Sequence, residues 1–222
     1  DKGLHRALTR FEQLARKVSR NNTRTCWILK CDIRKFFASV DHIILIDILH
    51  CRIADKRLID LLENIIASFA ASFGKGIPLG NLTSQLFANI YMSEFDQFIK
   101  HDLRTKYYIR YADDFVLLSH DRNELIHCLP KVAAFLFGQL NLNLHPDKVS
   151  TRTLASGVDY LGWIHFSYHH VLRTKVKKRM LNSVRRNPTN EALQSYLGLI
   201  QHGDAYTLSN RLLNDYWLWK ED

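Results

Sequence analysis

The sequence predicts an α+β chain in which an antiparallel sheet is backed by helices, and three observations carry that expectation. Apolar residues recur at helical spacing in several long stretches, and short β-prone runs stand between them. Two further β-prone halves meet at Ala112-Asp113-Asp114, the pattern of a hairpin with acids at its tip. The 222 residues are 46% hydrophobic and 24% charged, with nine Gly and four Pro, which excludes collagenous, low-complexity and wholly disordered chains. That length suits one body with a small appended subdomain.

Taken in order, Leu4, Leu8, Phe11, Leu14, Ala15 and Val18 define an amphipathic helix over 4–20, stopped by Asn21-Asn22-Thr23. Cys26-Trp27-Ile28-Leu29-Lys30-Cys31 is too short for a helix and reads as a buried strand that runs into Asp32. Helices follow near 41–51 and 55–70, the second expected to turn Leu58, Leu61, Leu62, Ile65, Ile66 and Phe69 to one side. The breaker-rich loop 74–80 leads into a helix of about five turns carrying Leu82, Leu86, Phe87, Ile90, Tyr91, Phe95 and Phe98. The hairpin occupies 106–119, and a helix near 121–140 contains Pro130, a residue that can kink it. Strand-like segments near 142–145, 149–154 and 158–166, then helices after 174, complete a chain with no internal repeat and no long linker.

Lys and Arg number 31 against 22 Asp and Glu, a formal charge of +9 that favours an anionic partner such as nucleic acid. Seven of these cations and no acid lie in 173–186: Arg173, Lys175, Lys177, Lys178, Arg179, Arg185 and Arg186. Such a run serves either as a solvated helix face or as a phosphate-binding surface. The four cysteines, 26, 31, 51 and 128, form no Cys-x-x-Cys pair, so neither a disulfide framework nor a cysteine zinc site is expected. A reduced, cytoplasmic protein fits best, with no membrane association, since no apolar run approaches the ~18 residues of a span. The first residues, Asp1-Lys2-Gly3-Leu4-His5-Arg6, lack a signal-peptide core, and the missing initiator Met suggests a trimmed or partial chain.

One carboxylate at a strand end, Asp32, and an adjacent pair at a hairpin tip, Asp113-Asp114, form the donor set that two-metal phosphoryl transfer requires. Hard cations such as Mg²⁺ take oxygen ligands and leave positions for water and phosphate. Two of them about 4 Å apart activate an attacking hydroxyl and stabilise a leaving oxygen. Alone the doublet is weak, because acids in turns usually cap backbone N–H groups. Its setting is more specific. Tyr111-Ala112-Asp113-Asp114 resembles the catalytic signature of reverse transcriptases, and Asp32-Ile33-Arg34-Lys35-Phe36-Phe37 is similar to that family's first aspartate motif. The resemblance implies that Asp32, Asp113 and Asp114 are catalytic and hold two Mg²⁺ ions, with Mn²⁺ as a substitute and the Ile33 carbonyl as an extra ligand. It also implies that Phe37 lies beneath the sugar of the incoming nucleotide, where an aromatic ring would clash with a ribose 2′-OH and select dNTPs. Simple core packing is the competing reading of Phe37.

Residues 76–85, Gly-Ile-Pro-Leu-Gly-Asn-Leu-Thr-Ser-Gln, resemble the family's loop-and-helix motif along the templating pair, with Gly80 permitting close backbone approach. Leu79 stands where Gln is usual and Gln85 where Pro is usual. That variant is similar to the error-prone reverse transcriptases of diversity-generating retroelements, although unclassified bacterial relatives share the pattern. Leu79 cannot donate the hydrogen bond by which Gln would help fix the nucleotide, so discrimination would rest on base pairing and shape. Leu144-His145-Pro146-Asp147-Lys148 resembles the segment whose lysine lies near the triphosphate, and Asp159-Tyr160-Leu161-Gly162-Trp163 resembles the primer-grip hairpin, with Gly162 beside the primer. An ordinary surface lysine and a structural turn glycine are the alternatives. The run containing Arg173, Lys175, Lys177, Lys178 and Arg179 sits where the family begins its thumb, whose helices hold duplex phosphates.

The motifs keep the family's order from about Lys2 to Trp219. They imply a right-hand polymerase with partial fingers over 1–25, a palm over 26–170 including the nucleotide-pocket loop 74–85, and a helical thumb over 171–222. The implied reaction adds dNTPs to a DNA or RNA primer on an RNA template. A diversity-generating enzyme would add a small basic accessory protein and a structured retroelement RNA. A group II intron-like or defence-associated reverse transcriptase and a non-catalytic RNA-binding remnant are the alternatives. The chain is expected to start after the first finger motifs, and nothing in it resembles an appended endonuclease or RNase H domain.

Overall fold

The structure is a computed structural model that describes residues 3–78, 80–201, 203 and 206–220. Helix α1 (Leu4–Ser19) leads through a turn to β1 (Trp27–Asp32), the short helix α2 (Phe36–Ser39), then α3 (His42–His50) and α4 (Lys56–Ala67). Helix α5 (Leu82–Gln97) runs on into a π-helical turn, Phe98–Asp102. The hairpin β2 (Tyr108–Tyr111) and β3 (Asp114–Ser119) follows, then α6 (Arg122–Leu140) and β4 (Ser150–Thr153). A small meander, β5 (Val158–Tyr160), β6 (Trp163–His165) and β7 (His170–Leu172), precedes α7 (Thr174–Arg186), α8 (Asn190–Ile200) and α9 (Tyr206–Lys220).

Strands β2-β3-β1-β4 form one wholly antiparallel sheet, and its alternation sorts the side chains into two cores. Leu29, Cys31, Phe115 and Leu117 are fully buried on one face, against Leu45 of α3, Tyr91 and Phe95 of α5, and Leu136 of α6. Ile28, Val116 and Leu118 point the other way and meet Phe11, Leu14 and Val18 of α1 together with Val158 and Tyr160 of β5. Helix α1 therefore forms because its one apolar stripe has a sheet to cover, each buried aliphatic or aromatic side chain contributing about 1.5–3 kcal/mol. A third cluster gathers Trp163 with Met180, Val184, Leu193, Ile200 and Leu212 of α7–α9. Helix starts are set locally. The Asp41, Asp55 and Asp121 side chains accept from Ile43, Arg57 and Asn123 N–H at the heads of α3, α4 and α6.

Four expectations need correction. Helix α4 buries Ile59 and Ile66, whereas Leu58, Leu61 and Phe69 are exposed, because the helix docks by a narrow edge and nothing covers its outer stripe. In α5, Leu82 and Leu86 are likewise exposed, since the first turns project beyond the layer that buries Phe87, Tyr91 and Phe95. No strand forms over 142–145. Leu144 makes a single bridge to Ile33, and the chain then enters a one-turn helix, Pro146–Lys148, that proline initiates. The segment 158–166 is two strands, with β7 as their unforeseen third neighbour. Pro130 lies inside the 19-residue α6 without ending it. Among the described residues, no helix is long and apolar enough to cross a membrane.

Candidate active site

Strand register assembles the acids. Asp32, the last residue of β1, pairs with Asp114, the first of β3, and the strand period puts both on the face that also carries Lys30. Asp113 lies in the two-residue turn between Tyr111 and Asp114, a turn made possible by the left-handed Ala112 (φ 54°). The Asp113 carbonyl accepts from Ile33 N–H at 3.3 Å, tying the hairpin tip to the exit of β1. The Asp32 carbonyl accepts from His145 N–H at 2.8 Å, which holds the following turn beside it. From that turn Lys148 reaches both Asp32 oxygens, at 3.0 and 3.1 Å. Lys30 Nζ lies 3.3 Å from Asp114 Oδ2 and donates to the Asp159 carbonyl at 2.6 Å.

The charge balance at this edge favours an added cation. Burial pushes the Asp114 carboxyl up to about 6; Lys30 pulls it down, and Asp32 and Asp113 push it further up. Asp113 is raised as well, first by burial and then by Asp32, with Lys148 opposing. Asp114 Oδ1 is buried without a hydrogen-bond partner, as is the hydroxyl of Tyr160, whose titration is driven far upward by burial and by Asp114. An orphaned carboxylate oxygen beside two further carboxylates is a donor set suited to a hard divalent ion.

Two braces that sequence reasoning missed position this edge. Arg110 on β2 forms a fork with Asp96 on α5 (Nε–Oδ1 2.9 Å, Nη2–Oδ2 2.7 Å), and its Nη1 donates to the Ala112 carbonyl at 3.0 Å. Tyr108 donates to the same Asp96 at 2.7 Å. Nothing local in the sequence marks this contact between distant elements. Lys30 did carry a signal, being a cation in an otherwise apolar strand run, two residues from Asp32 and therefore on its face.

The remaining expected residues stand in different states. Phe37 is half-buried with its ring edge-on to Phe36, and its carbonyl accepts from Ile77 N–H at 2.8 Å, so the 76–85 segment is strapped to the Phe37 turn. Gly80 adopts φ 91° with open space where a Cβ would stand, and Gln85 is exposed. Leu79 lies outside the described residues. Ile33 buries its side chain in the core. Leu161 and Gly162 (φ 51° and 86°) make the tight turn between β5 and β6, and the Gly162 carbonyl accepts from Arg173 N–H at 3.0 Å. The Arg173 guanidinium is engaged by Asp159, and Lys177 is half-buried. Lys175, Lys178 and Arg179 are exposed, and Lys175 and Arg179 line a groove of about 800 Å³ along α7 together with Arg173 and Arg186.

The site is thus an acid-tipped hairpin beside a strand-terminal acid, on an antiparallel sheet backed by helices. A family model described as reverse transcriptase (RNA-dependent DNA polymerase) matches residues 2–165, and the chain belongs to that family. It is 25% identical to Protein YkfC of Escherichia coli K12 over 208 residues, covering 77% of this chain and 53% of that protein. It is 30% identical to the group II intron-encoded protein LtrA of Lactococcus lactis over 79 residues, 33% of this chain and 13% of that protein. The chain thus spans about half the length of YkfC and less of LtrA. Telomerase from Candida tropicalis, truncated from its C-terminal domain, superposes with a TM-score of 0.61 at 12% identity, over 78% of this chain and 40% of that one. Candida albicans telomerase with a fragment of telomeric RNA gives 0.60 at 11%, over 83% and 39%. These likenesses establish the α+β reverse transcriptase fold.

Proposed function

We propose that the chain is the polymerising part of an RNA-directed DNA polymerase, with Asp32, Asp113 and Asp114 as its catalytic acids. The observation that carries this reading is the register pairing of Asp32 with Asp114 beside the Asp113 turn, with one Asp114 oxygen left unpartnered in a buried setting. These three acids, with the Ile33 carbonyl as an added donor, would hold two divalent ions, Mg²⁺ or Mn²⁺. Such ions, when bound, supply activation of a primer 3′-hydroxyl and neutralisation of the triphosphate. Lys148 and Lys30 pair with Asp32 and Asp114 and orient them before that. Lys148 is exposed enough to swing to a phosphate once Asp32 is otherwise engaged. Phe37 and the 76–85 segment, strapped together, would shape the sugar side of a nucleotide pocket, with Leu79, Gly80 and Gln85 contributing to it. The hairpin at Gly162 would guide the primer, and the α7 groove lined by Lys175 and Arg179, with Lys178 exposed on the same helix, suits duplex phosphates. In this reading 1–25, 26–170 and 171–222 are partial fingers, palm and thumb.

The partners are an RNA template, a DNA or RNA primer and dNTPs. Leu79 and Gln85 favour low-fidelity copying of the diversity-generating kind, with a small basic accessory protein and a structured RNA. A group II intron-type enzyme is the second reading, favoured by the likeness to LtrA. The test is extension of a labelled primer on RNA with Mg²⁺ and dNTPs, beside Asp113→Asn/Asp114→Asn. Extension that disappears in the double variant supports the polymerase, and efficient use of mismatched dNTPs supports the low-fidelity branch. Tight template–primer binding without extension under Mg²⁺ or Mn²⁺ would favour an RNA-binding remnant.

A further inference from the structure

A second cluster of ligating groups lies away from the aspartates, where α1 meets the small meander. Glu12 of α1, His165 of β6 and His170 of β7 each offer one ligand atom, and the three atoms lie within 4.8 Å of one another. The two histidines are directly opposed in the β6–β7 register, so they share a face of the meander and both turn toward α1. Glu12 Oε1 is 2.9 Å from His170 Nδ1. His165 is 2% exposed, with its ring 4.6 Å from that of Phe11, and its Nε2 is buried with no hydrogen-bond partner. A buried, unpaired imidazole nitrogen is costly unless something occupies it.

The neighbours hold the ring. The His165 ring is held by a hydrogen bond to the Tyr160 backbone, and Nε2 is the ring nitrogen left without a partner. A backbone contact on one side of the ring with Nε2 left over on the other is the arrangement by which a protein orients a metal-bound histidine. A cleft of about 540 Å³ opens beside the cluster, giving a fourth ligand, water or solute, room to enter.

We propose that Glu12, His165 and His170 form a Zn²⁺ site separate from the acidic edge and independent of the polymerase reading. Two imidazoles and one carboxylate with an open fourth position suit zinc, and the Irving–Williams order puts Zn²⁺ above Fe²⁺ and Mn²⁺ at such donors. With Zn–N and Zn–O near 2.0–2.1 Å, tetrahedral ligand atoms stand about 3.4 Å apart, so the cluster closes with side-chain movements of about 1 Å. The ion would fasten α1 to the meander that carries the Leu161-Gly162 turn.

The test uses the full chain with Asp113→Asn and Asp114→Asn, which takes the acidic edge out of competition. After chelator treatment it is titrated with Zn²⁺ by calorimetry and with Co²⁺ by absorption spectroscopy. A single equivalent of Zn²⁺ is expected to bind and to raise the melting temperature, and Co²⁺ to give the intense bands of a tetrahedral site. Adding Glu12→Gln with His170→Gln should weaken binding by more than about 100-fold and abolish the bands, with circular dichroism confirming the fold. If that pair fails to fold, Glu12→Gln alone replaces it, and paramagnetically shifted imidazole protons in the Co²⁺-loaded parent count the histidine ligands without any change at the cluster. Absence of Zn²⁺ binding by the parent, leaving a plain hydrogen-bonded cluster, overturns the proposal. So does unchanged affinity in the variants, or fewer than two histidine ligands, either of which would put the ion elsewhere.

Discussion

Asp114 combines an elevated carboxyl with an unpartnered oxygen, and this makes it a destabilising residue in the absence of metal. Its folded value, about 6, lies above the ordinary carboxylate value, so its contribution to stability is fully present below about pH 4 and is lost as pH rises through 6. In chelator at pH 8, Asp114→Asn should therefore stabilise the fold by about 2 kcal/mol, and by much less at pH 4. Urea denaturation at the two pH values checks this. Equal effects at both would show that ionisation of Asp114 is not the cause. Divalent metal should narrow the difference between parent and variant. The three acids were legible in the sequence because a strand end and a two-residue turn are local patterns. Lys30 was legible in principle, as a cation in an apolar run. Asp96, Tyr160 and the Glu12–His165–His170 cluster were not, because their partners come from elements far apart in the chain.

The hairpin β2–β3 owes its aim to the Arg110 fork, which joins α5, the hairpin and the turn carbonyl of Ala112. Asp96→Asn removes the counter-charge from a guanidinium that is only 9% exposed and leaves it uncompensated. The expected loss is about 3 kcal/mol, read from denaturant midpoints. Extension should fall further than the remaining folded fraction explains, because the Asp113 turn loses its brace. A loss of activity that merely tracks the folded fraction would make the fork purely structural. Helix positions were easier to read than helix orientation. The periodicity of 55–70 marks a helix correctly, yet it contains apolar residues on more than one side, and it is tertiary packing into the main core, α3 included, that selects Ile59 and Ile66 over Leu58 and Leu61. The segment 142–145 failed as a strand for a similar reason. Its backbone partner is the single bridge at Ile33, and the chain turns away at Pro146 to deliver Lys148.

The molecule is layered as helices, four-stranded sheet, then α1 with the meander and terminal helices, and the layers decide which apolar residues matter. Leu61→Gln and Leu82→Gln, at side chains 55% and 84% exposed, should each change stability by no more than about 0.5 kcal/mol. Phe11→Ala, at a ring 1% exposed between the sheet and the meander, should cost about 3–5 kcal/mol. Thermal melts of the three variants separate the two cases. The α+β class was legible because helical and strand periods alternate clearly along the chain. How the meander covers α1 was not, since strands of three residues carry almost no pattern of their own.

The order β2-β3-β1-β4 has one more consequence. Asp32 ends a strand bonded on both sides, whereas Asp113 sits at the tip of a hairpin whose other strand, β2, is an outer edge, and is held by the Ile33 bond and the Arg110 contact at Ala112. Amide exchange around Asp32 is then expected to need β1 to part from its neighbours, while the Asp113 turn is expected to open once its Ile33 bond and the Arg110 contact release, with the sheet still paired. One acid is anchored by the sheet itself and the other by two tethers, so loosening the tethers is expected to shift the second acid before the first.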